Sequence, residues 1–322
     1  MNQRAVRRPR VTVIGNALVD EIVTSRGRFA RLGGAGLNVA MLLGMRGVDA
    51  SLVAAVAGDE IGMAMRSALS SSGVHLVEEG EAPAVTARAV VHLEGSQPSY
   101  EFGGRAYLSF AFSEEAARAV ANSDAVVVNA FNYEDRAQAR SLRALLGGGH
   151  PWRVLDPNVR PGLIQQLDLL TTNLEDLLKV TDILKVSDED LGVLVGSQGT
   201  YPVERLFGSG AQVIFLTKGA QGGEILTAAG SRFEAPAGVA SAEIVDTLGA
   251  GDAALAGLVV SALSEGTEDA GCVGRRRDLA ELDWQVHLEV AMEAAADACR
   301  QRGGPAGPAP APVTSTGHPT SI

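Results

Sequence analysis

Cysteine is scarce. Cys272 and Cys299 are the only two, with no CxxC spacing and no histidine placed beside them. That excludes a zinc ribbon or a disulfide-stapled scaffold and suits a reducing cytoplasm. Basic charge is also in deficit, with 27 Lys and Arg against 38 Asp and Glu and a net charge of −11. Sequence-independent nucleic-acid binding needs a basic surface and is not expected. The run Arg4, Arg7, Arg8, Arg10 reads as a solvated tail over residues 1–9. No stretch reaches the ~18 uncharged apolar residues of a membrane span. The basic start runs directly into Val11-Thr-Val-Ile14, too short for the apolar region of a signal peptide. Aromatics are few, at 4%, so the core must be built from smaller side chains.

What is plentiful is small and aliphatic: 46% of residues are hydrophobic and 38 are glycine. Such a core suits helices packed closely on a parallel sheet. Val11–Ile14, Ser51–Val56, Ala125–Val128, Arg153–Leu155, Ile183–Lys185 and Val213–Thr217 read as strands. Helical patterns cover Asn38–Met45, Ile61–Leu69, Ala253–Leu263 and Leu288–Arg300. Short β-branched runs alternating with helical patterns imply βαβ units and a largely parallel α/β sheet. Two stretches, Val19–Leu32 and Val85–Phe102, alternate with period 2 and lead into no helix. They are expected to pair as a small antiparallel sheet projecting as a lid, with an ordinary edge hairpin as the alternative. An open lid edge would offer pairing to a second copy of the chain, hence a homodimer. Residues 305–322, rich in Gly, Pro, Ala, Ser and Thr, are expected to be disordered.

The sharpest local feature is Val245-Asp-Thr-Leu-Gly-Ala-Gly-Asp252, which opens an apolar helical run. Small residues before a helix expose backbone N–H groups at the positive end of its dipole, where phosphate oxygens bind. A carboxylate beside phosphate is repulsive and needs a purpose. General-base chemistry on an attacking hydroxyl supplies one; a simple helix N-cap by Asp252 is the plain alternative. A dinucleotide-binding reading of Gly33-Gly-Ala-Gly36 fails, because Val39 stands where the third glycine is needed and no buried strand immediately precedes it.

Six motifs occur in order: Gly33-Gly-Ala-Gly-Leu-Asn-Val-Ala40, Val56-Ala-Gly-Asp-Glu-Ile-Gly62, Asp156-Pro-Asn-Val-Arg-Pro161, Lys185-Val-Ser-Asp-Glu-Asp-Leu191, Leu216-Thr-Lys-Gly-Ala-Gln-Gly-Gly223 and the Asp252 signature. Together they resemble the PfkB (ribokinase-like) carbohydrate kinases, in their fructokinase-like branch, over residues 10–304. The resemblance implies a three-layer αβα sandwich with a mostly parallel central sheet and a small β-sheet lid, from about 19–32 and 85–105. It implies ATP-dependent phosphorylation of a small carbohydrate, with Asp252 as base and Gly249, Ala250 and Gly251 as anion hole. Asp20, Gly33, Gly34 and Asn38 match the sugar-binding positions. Thr217, Lys218, Gly219 and Gly222 match the nucleotide contacts, although Lys218 also reads as an ordinary solvated lysine. Arg160 would face the phosphates, or belong to a turn held by Pro157 and Pro161. Magnesium would be held at Asp190, and the monovalent-cation activation of many relatives would involve the loop around Asp246.

The chain departs from that family at two places. Ser187 and Asp190 stand where Asn-x-x-Glu is usual, and Ala254 where phenylalanine is common, which should loosen packing behind the catalytic helix. Substrate choice is expected from Glu101, Arg105 and Tyr107 in the lid and from Asn129, Phe131 and Asn132. A fructose-like sugar or sugar acid leads. A nucleoside kinase of the same fold and a catalytically silent sugar- or nucleotide-binding regulator are the alternatives.

Overall fold

Alternate residues of each central strand enter opposite apolar cores, and this period-2 division produces the three layers. Strand β1 (Arg10–Gly15) gives Val11 and Val13 to one core and Ile14 to the other. Strands β8 (Ala125–Asn129), β10 (Ile183–Ser187) and β11 (Val213–Thr217) divide in the same way. The first core is covered by helices α1 (Ala35–Met45), α2 (Glu60–Ser71), α7 (Ala250–Glu265) and α8 (Trp284–Cys299), through Leu37, Met65, Leu255 and Leu288. The second lies under α3 (Glu114–Ala121), α4 (Arg136–Leu146) and α5 (Leu167–Leu178), through Val120, Leu142 and Leu174.

This computed structural model describes residues 7–24, 27–92, 99–103, 111–148, 151–195, 206–208, 210–265, 278–301, 305 and 307–309. The expectations on Arg4, Arg105, Tyr107, Cys272 and residues 310–322 lie outside them. The remaining main-sheet strands are β4 (Asp49–Ala54), β5 (His75–Glu78), β9 (Trp152–Asp156), β12 (Gly223–Thr227) and β13 (Arg232–Ala235). Their order is β13-β12-β11-β10-β9-β8-β1-β4-β5. Pairing is parallel from β5 through β11, while β12 and β13 return antiparallel at one edge. A parallel run brings the carboxyl ends of its strands to one rim, the ligand side of open α/β sheets.

The lid is a separate four-stranded sheet with the order β3-β2-β6-β7. It comprises β2 (Leu18–Thr24), β3 (Gly27–Gly33), β6 (Arg88–His92) and β7 (Ser99–Gly103). Its outer pairs are antiparallel, as expected, whereas the central pair of β2 with β6 is parallel. Each hairpin, β2–β3 and β6–β7, is antiparallel by construction, and the two meet through their first strands.

Described residues near each end of the chain are tied to the domain. Arg7 is ion-paired with Asp124, and the Pro9 carbonyl accepts the Asp49 N–H at 2.9 Å. Pro308 bridges antiparallel to Arg31, with Leu32 N–H on the Gly307 carbonyl at 3.2 Å and Ala309 N–H on the Ala30 carbonyl at 3.0 Å. Backbone hydrogen bonds hold residues 307–309 against the middle of β3, one of the two edges of the lid. Packing behind α7 is close despite Ala254, which is 1% exposed. A Cβ at Gly257 would lie 2.9 Å from that of Ala294, so small residues seat α7 directly on α8. Among the described residues no helix is long and apolar enough to cross a membrane.

Candidate active site

Two glycine-led helix starts meet at the strand rim. Helix α1 begins after Gly34, whose φ is 97°, and no side chain caps it. Helix α7 begins after Gly249 at φ 80°. Both values lie in the region that favours glycine. An uncapped start leaves first-turn N–H groups for a ligand. Asp252, the third residue of α7, is not its cap. The Asn38 Nδ2 donates to its Oδ2 at 2.9 Å, and the Asn129 Nδ2 donates to its Oδ1 at 3.2 Å. The early and late glycine-bearing turns thus converge, with the end of β8 between them.

Asp20 approaches from the lid. A Cβ on Gly33 would lie 2.2 Å from its Oδ2, so the absence of a side chain there lets the two approach. Burial pushes the Asp20 carboxyl up to about 6; Arg31 and Arg160 pull it down, Asp252 and Asp246 push it up. Burial also raises Asp252 above its ordinary value, opposed by the Asn38 hydrogen bond, Lys185, Arg160 and Asn129. Arg160, whose Nη1 donates to the Val159 carbonyl at 3.4 Å, is near enough to both carboxylates to favour their ionised forms.

Lys185 is a site residue to which the sequence reading gave no role. It occupies an apolar slot of β10 on the α7 side, 4% exposed, with Nζ 3.0 Å from Oδ2 of Asp156. A Cβ on Gly251 would lie 3.5 Å from that Nζ, which places the ammonium beneath the start of α7. Burial lifts Asp156 to about 6 against the pull of Lys185. A lysine inside Ile183-Leu-Lys-Val186 was the available signal, since a charged residue in a buried run needs a partner. At the ends of β8 and β9, Ala130 and Asn158 adopt φ of 55° and 46°. Strained backbone of this kind gathers at functional rims.

Three residues make protein contacts that their expected roles did not include. Asp190 accepts the Val159 N–H on Oδ1 at 2.7 Å and both the Ser187 N–H and Oγ on Oδ2, at 2.8 and 2.7 Å. Ser187 Oγ in turn accepts the Asp190 N–H at 3.0 Å. This reciprocal pair is a capping box at the start of α6 (Asp188–Val195) and turns the carboxylate inward. Phe131 stacks on Phe112 at 6.5 Å and contacts Tyr133 edge-on at 5.7 Å, in the second core rather than at a substrate. Lys218 is not simply solvated: it is ion-paired with buried Glu224, which also holds Arg232.

The residues expected to meet the nucleotide lie at the end of β11 and in the turn after it. Thr217 lies level with Ser187 in the parallel register, on the same rim. Gly222 has φ 90°, and a Cβ there would lie 2.1 Å from the Ala235 carbonyl oxygen. Beside this turn is a shallow recess of about 250 Å³ walled by Lys218, Gln221, Glu224, Glu234 and Pro236.

Comparison with known proteins agrees with this architecture. The profile of the pfkB family carbohydrate kinases matches residues 12–310. A fructokinase of Salmonella typhimurium is 30% identical over 274 residues, 80% of this chain and 85% of the relative. One from Rhizobium leguminosarum bv. trifolii is 29% identical over 269 residues, 77% and 78% of the two chains. Among solved structures, fructokinase with bound ATP from Xylella fastidiosa superposes with a TM-score of 0.73 at 20% identity, covering 92% of this chain and 95% of that one. Aminoimidazole riboside kinase from Salmonella enterica, complexed with aminoimidazole riboside and an ATP analog, gives 0.70 at 22%, covering 91% and 94%. With two-thirds of the sequence separating the turns that meet at Asp252, and the family profile spanning both, this chain belongs to the pfkB family of carbohydrate kinases.

Proposed function

We propose that this chain transfers the γ-phosphoryl group of ATP to a hydroxyl of a fructose-like sugar, with Asp252 as general base. One observation carries the choice of a polyol. Around the carboxylate, the Asn38 Oδ1 and Asn129 Oδ1 are buried with no hydrogen-bond partner among the described residues, as is Oδ1 of Asn16 just past β1. Buried acceptors of this kind call for donors. A ligand with several hydroxyls supplies them and also meets the acid of Asp20. The fructokinase relatives point to the same substrate class, and ATP as co-substrate fits a cytoplasmic protein.

In the reaction, a sugar hydroxyl oxygen forms the new bond to γ-phosphorus as the bond to the β–γ bridging oxygen breaks. The hydroxyl proton passes to Asp252, and ADP departs. Each Asp252 oxygen accepts one amide proton and retains a second lone pair for this task. Burial raises its basicity above that of a surface carboxylate, while the two amides favour the ionised form. Ala250 N–H turns back to the Thr247 carbonyl at 3.2 Å, so the Gly251 and Asp252 N–H groups form the anion-binding turn, with Lys185 below.

The Asp190 carboxylate is committed to protein donors, which does not suit direct magnesium coordination, whereas the loop around Asp246 would hold the monovalent cation that the resemblance implies. Asp190 Oδ2 serves the capping box and its Oδ1 accepts the Val159 N–H, while Asp246 accepts Arg31 on Oδ2 and the Leu248 N–H on Oδ1. Among the described residues no group of three His, Cys, Asp or Glu is arranged to hold an ion. The scheme assigns no step to a protein-held metal.

A panel of sugars and nucleosides assayed for ADP release tests the reading. D-fructose turnover is expected, with Asp252→Asn lowering kcat by roughly 10²- to 10⁴-fold while ATP binding persists. Unchanged turnover in that variant overturns the base assignment. Preference for a nucleoside overturns the substrate class, and ligand binding without turnover favours a regulator.

A further inference from the structure

The phosphoryl-transfer scheme makes no use of a guanidinium buried beneath the lid. Arg31, on β3, is 6% exposed. Its Nη1 donates to Oδ2 of Asp246 at 2.8 Å, and its Nε lies 3.7 Å from Oδ2 of Asp20, its cross-strand neighbour on β2. That Nε is buried and has no hydrogen-bond partner among the described residues. The two carboxylates belong to different parts of the site. Asp20 lies against Gly33 and near Asp252, on the side proposed above for the sugar. Asp246 opens the signature turn, where its Oδ1 accepts the Leu248 N–H at 3.0 Å just before Gly249. The N–H groups of Val245 and Asp246 are anchored to the Cys299 carbonyl at the end of α8, at 2.8 and 3.2 Å.

Taking a guanidinium out of water costs several kcal/mol unless carboxylates compensate it. Here two do, from two separate segments. A planar fork can address both at once, which a lysine ammonium on a flexible stem cannot.

We propose that Arg31 is a positioning residue that couples the lid to the anion-binding turn. It keeps Asp20 ionised for the sugar hydroxyls and holds the Asp246–Leu248 turn that presents Gly249–Gly251. This rests on the kinase reading above and deepens it: because Arg31 rides on β3, the turn is complete only when that lid strand is seated. The charged groups around Asp20 are Arg31 from β3, Asp252 from α7, Arg160 from the segment after β9, and Asp246 from the turn before α7. Arg31 is the strongest of those that favour the ionised form.

The test uses the full chain, with Arg31→Met and Arg31→Lys. The Asp20 carboxyl is followed by carbon NMR in aspartate-labelled protein, with Asp20→Asn to assign its signal. Leu248 amide exchange and the kinetics with D-fructose and MgATP complete the set. Arg31→Met is expected to raise the Asp20 midpoint by about one pH unit and to speed Leu248 exchange roughly tenfold over remote amides. It should also raise KM for fructose about tenfold and move the acid limb of kcat/KM upward. Arg31→Lys should restore the Asp20 midpoint but not Leu248 protection. An unmoved midpoint together with unmoved Leu248 exchange in Arg31→Met overturns the proposal. If that variant does not fold, Arg31→Lys decides: lost Leu248 protection supports the coupling, and retained protection with unchanged kcat refutes it. Should the wild-type chain release no ADP with fructose, the kinase reading fails while the titration and exchange measurements still judge Arg31.

Discussion

Asn38 and Asp252 are 214 positions apart in sequence, yet the amide nitrogen of one lies 2.9 Å from a carboxylate oxygen of the other. The contact ties the second turn of α1 to the first turn of α7 and leaves the opposite side of the amide for a ligand. Asn38→Ala removes a donor that favours the ionised base. The acid limb of the kcat/KM profile should move up by roughly half to one pH unit, and kcat at neutral pH should fall about tenfold. A pH–rate series on wild type and variant measures both; an unshifted limb would show that the amide does not tune Asp252.

Asp20 couples stability to function. Its folded-state pKa of about 6 lies above the ordinary 3.8, so the folded chain holds that proton more tightly than the unfolded chain. Stability therefore falls as pH rises from about 4 to about 6, and the full penalty persists above that window. The shift of about two units corresponds to at most about 3 kcal/mol. Asp20→Asn should accordingly melt at a higher temperature than wild type near pH 8, with the gap closing towards pH 4, while its KM for fructose rises. Melting curves across pH check the sign: a gap that widens on acidification contradicts it.

Gly33 is required by proximity rather than by backbone angle. Gly33→Ala would place a methyl group 2.2 Å from the Asp20 carboxylate and force it aside. Sugar KM is expected to rise at least tenfold, about 1.4 kcal/mol of binding, with KM for ATP nearly unchanged. Equal effects on both substrates would point instead to a general disturbance of α1.

Asp190 should behave as a structural cap. In Asp190→Asn, an amide nitrogen would face donors that the carboxylate now accepts, costing about 1–3 kcal/mol of stability. The magnesium concentration for half-maximal activity should not change. A large rise in that concentration, with melting temperature preserved, would restore the metal role.

Much of this site was legible because its chemistry is concentrated in glycine-bearing turns. Gly249-Ala-Gly251 and Gly33-Gly34 each announce a helix start open to a ligand, and the β-branched runs between them fix the rim on which both lie. Lys185 was also visible, as a charge within an apolar strand. Arg31 was not: on a period-2 lid strand an arginine looks like a solvent-facing residue, and only the return of the signature turn and the 307–309 segment buries it. The parallel pairing of β2 with β6 was equally hidden, since no local pattern encodes the direction in which two distant hairpins meet. At Ser187-Asp-Glu-Asp190 the spacing that suggested a metal also suits a capping box, whose hydrogen bonds the sequence reading did not foresee.

The bridge between Pro308 and Arg31 makes the end of α8's trailing segment a mechanical extension of β3. A fluorophore attached at Ala309 would ride with that strand and report its movement during turnover. Trimming the chain ahead of Gly307 would instead bare three backbone positions on the strand's margin, inviting cross-chain β-pairing and cloudy preparations.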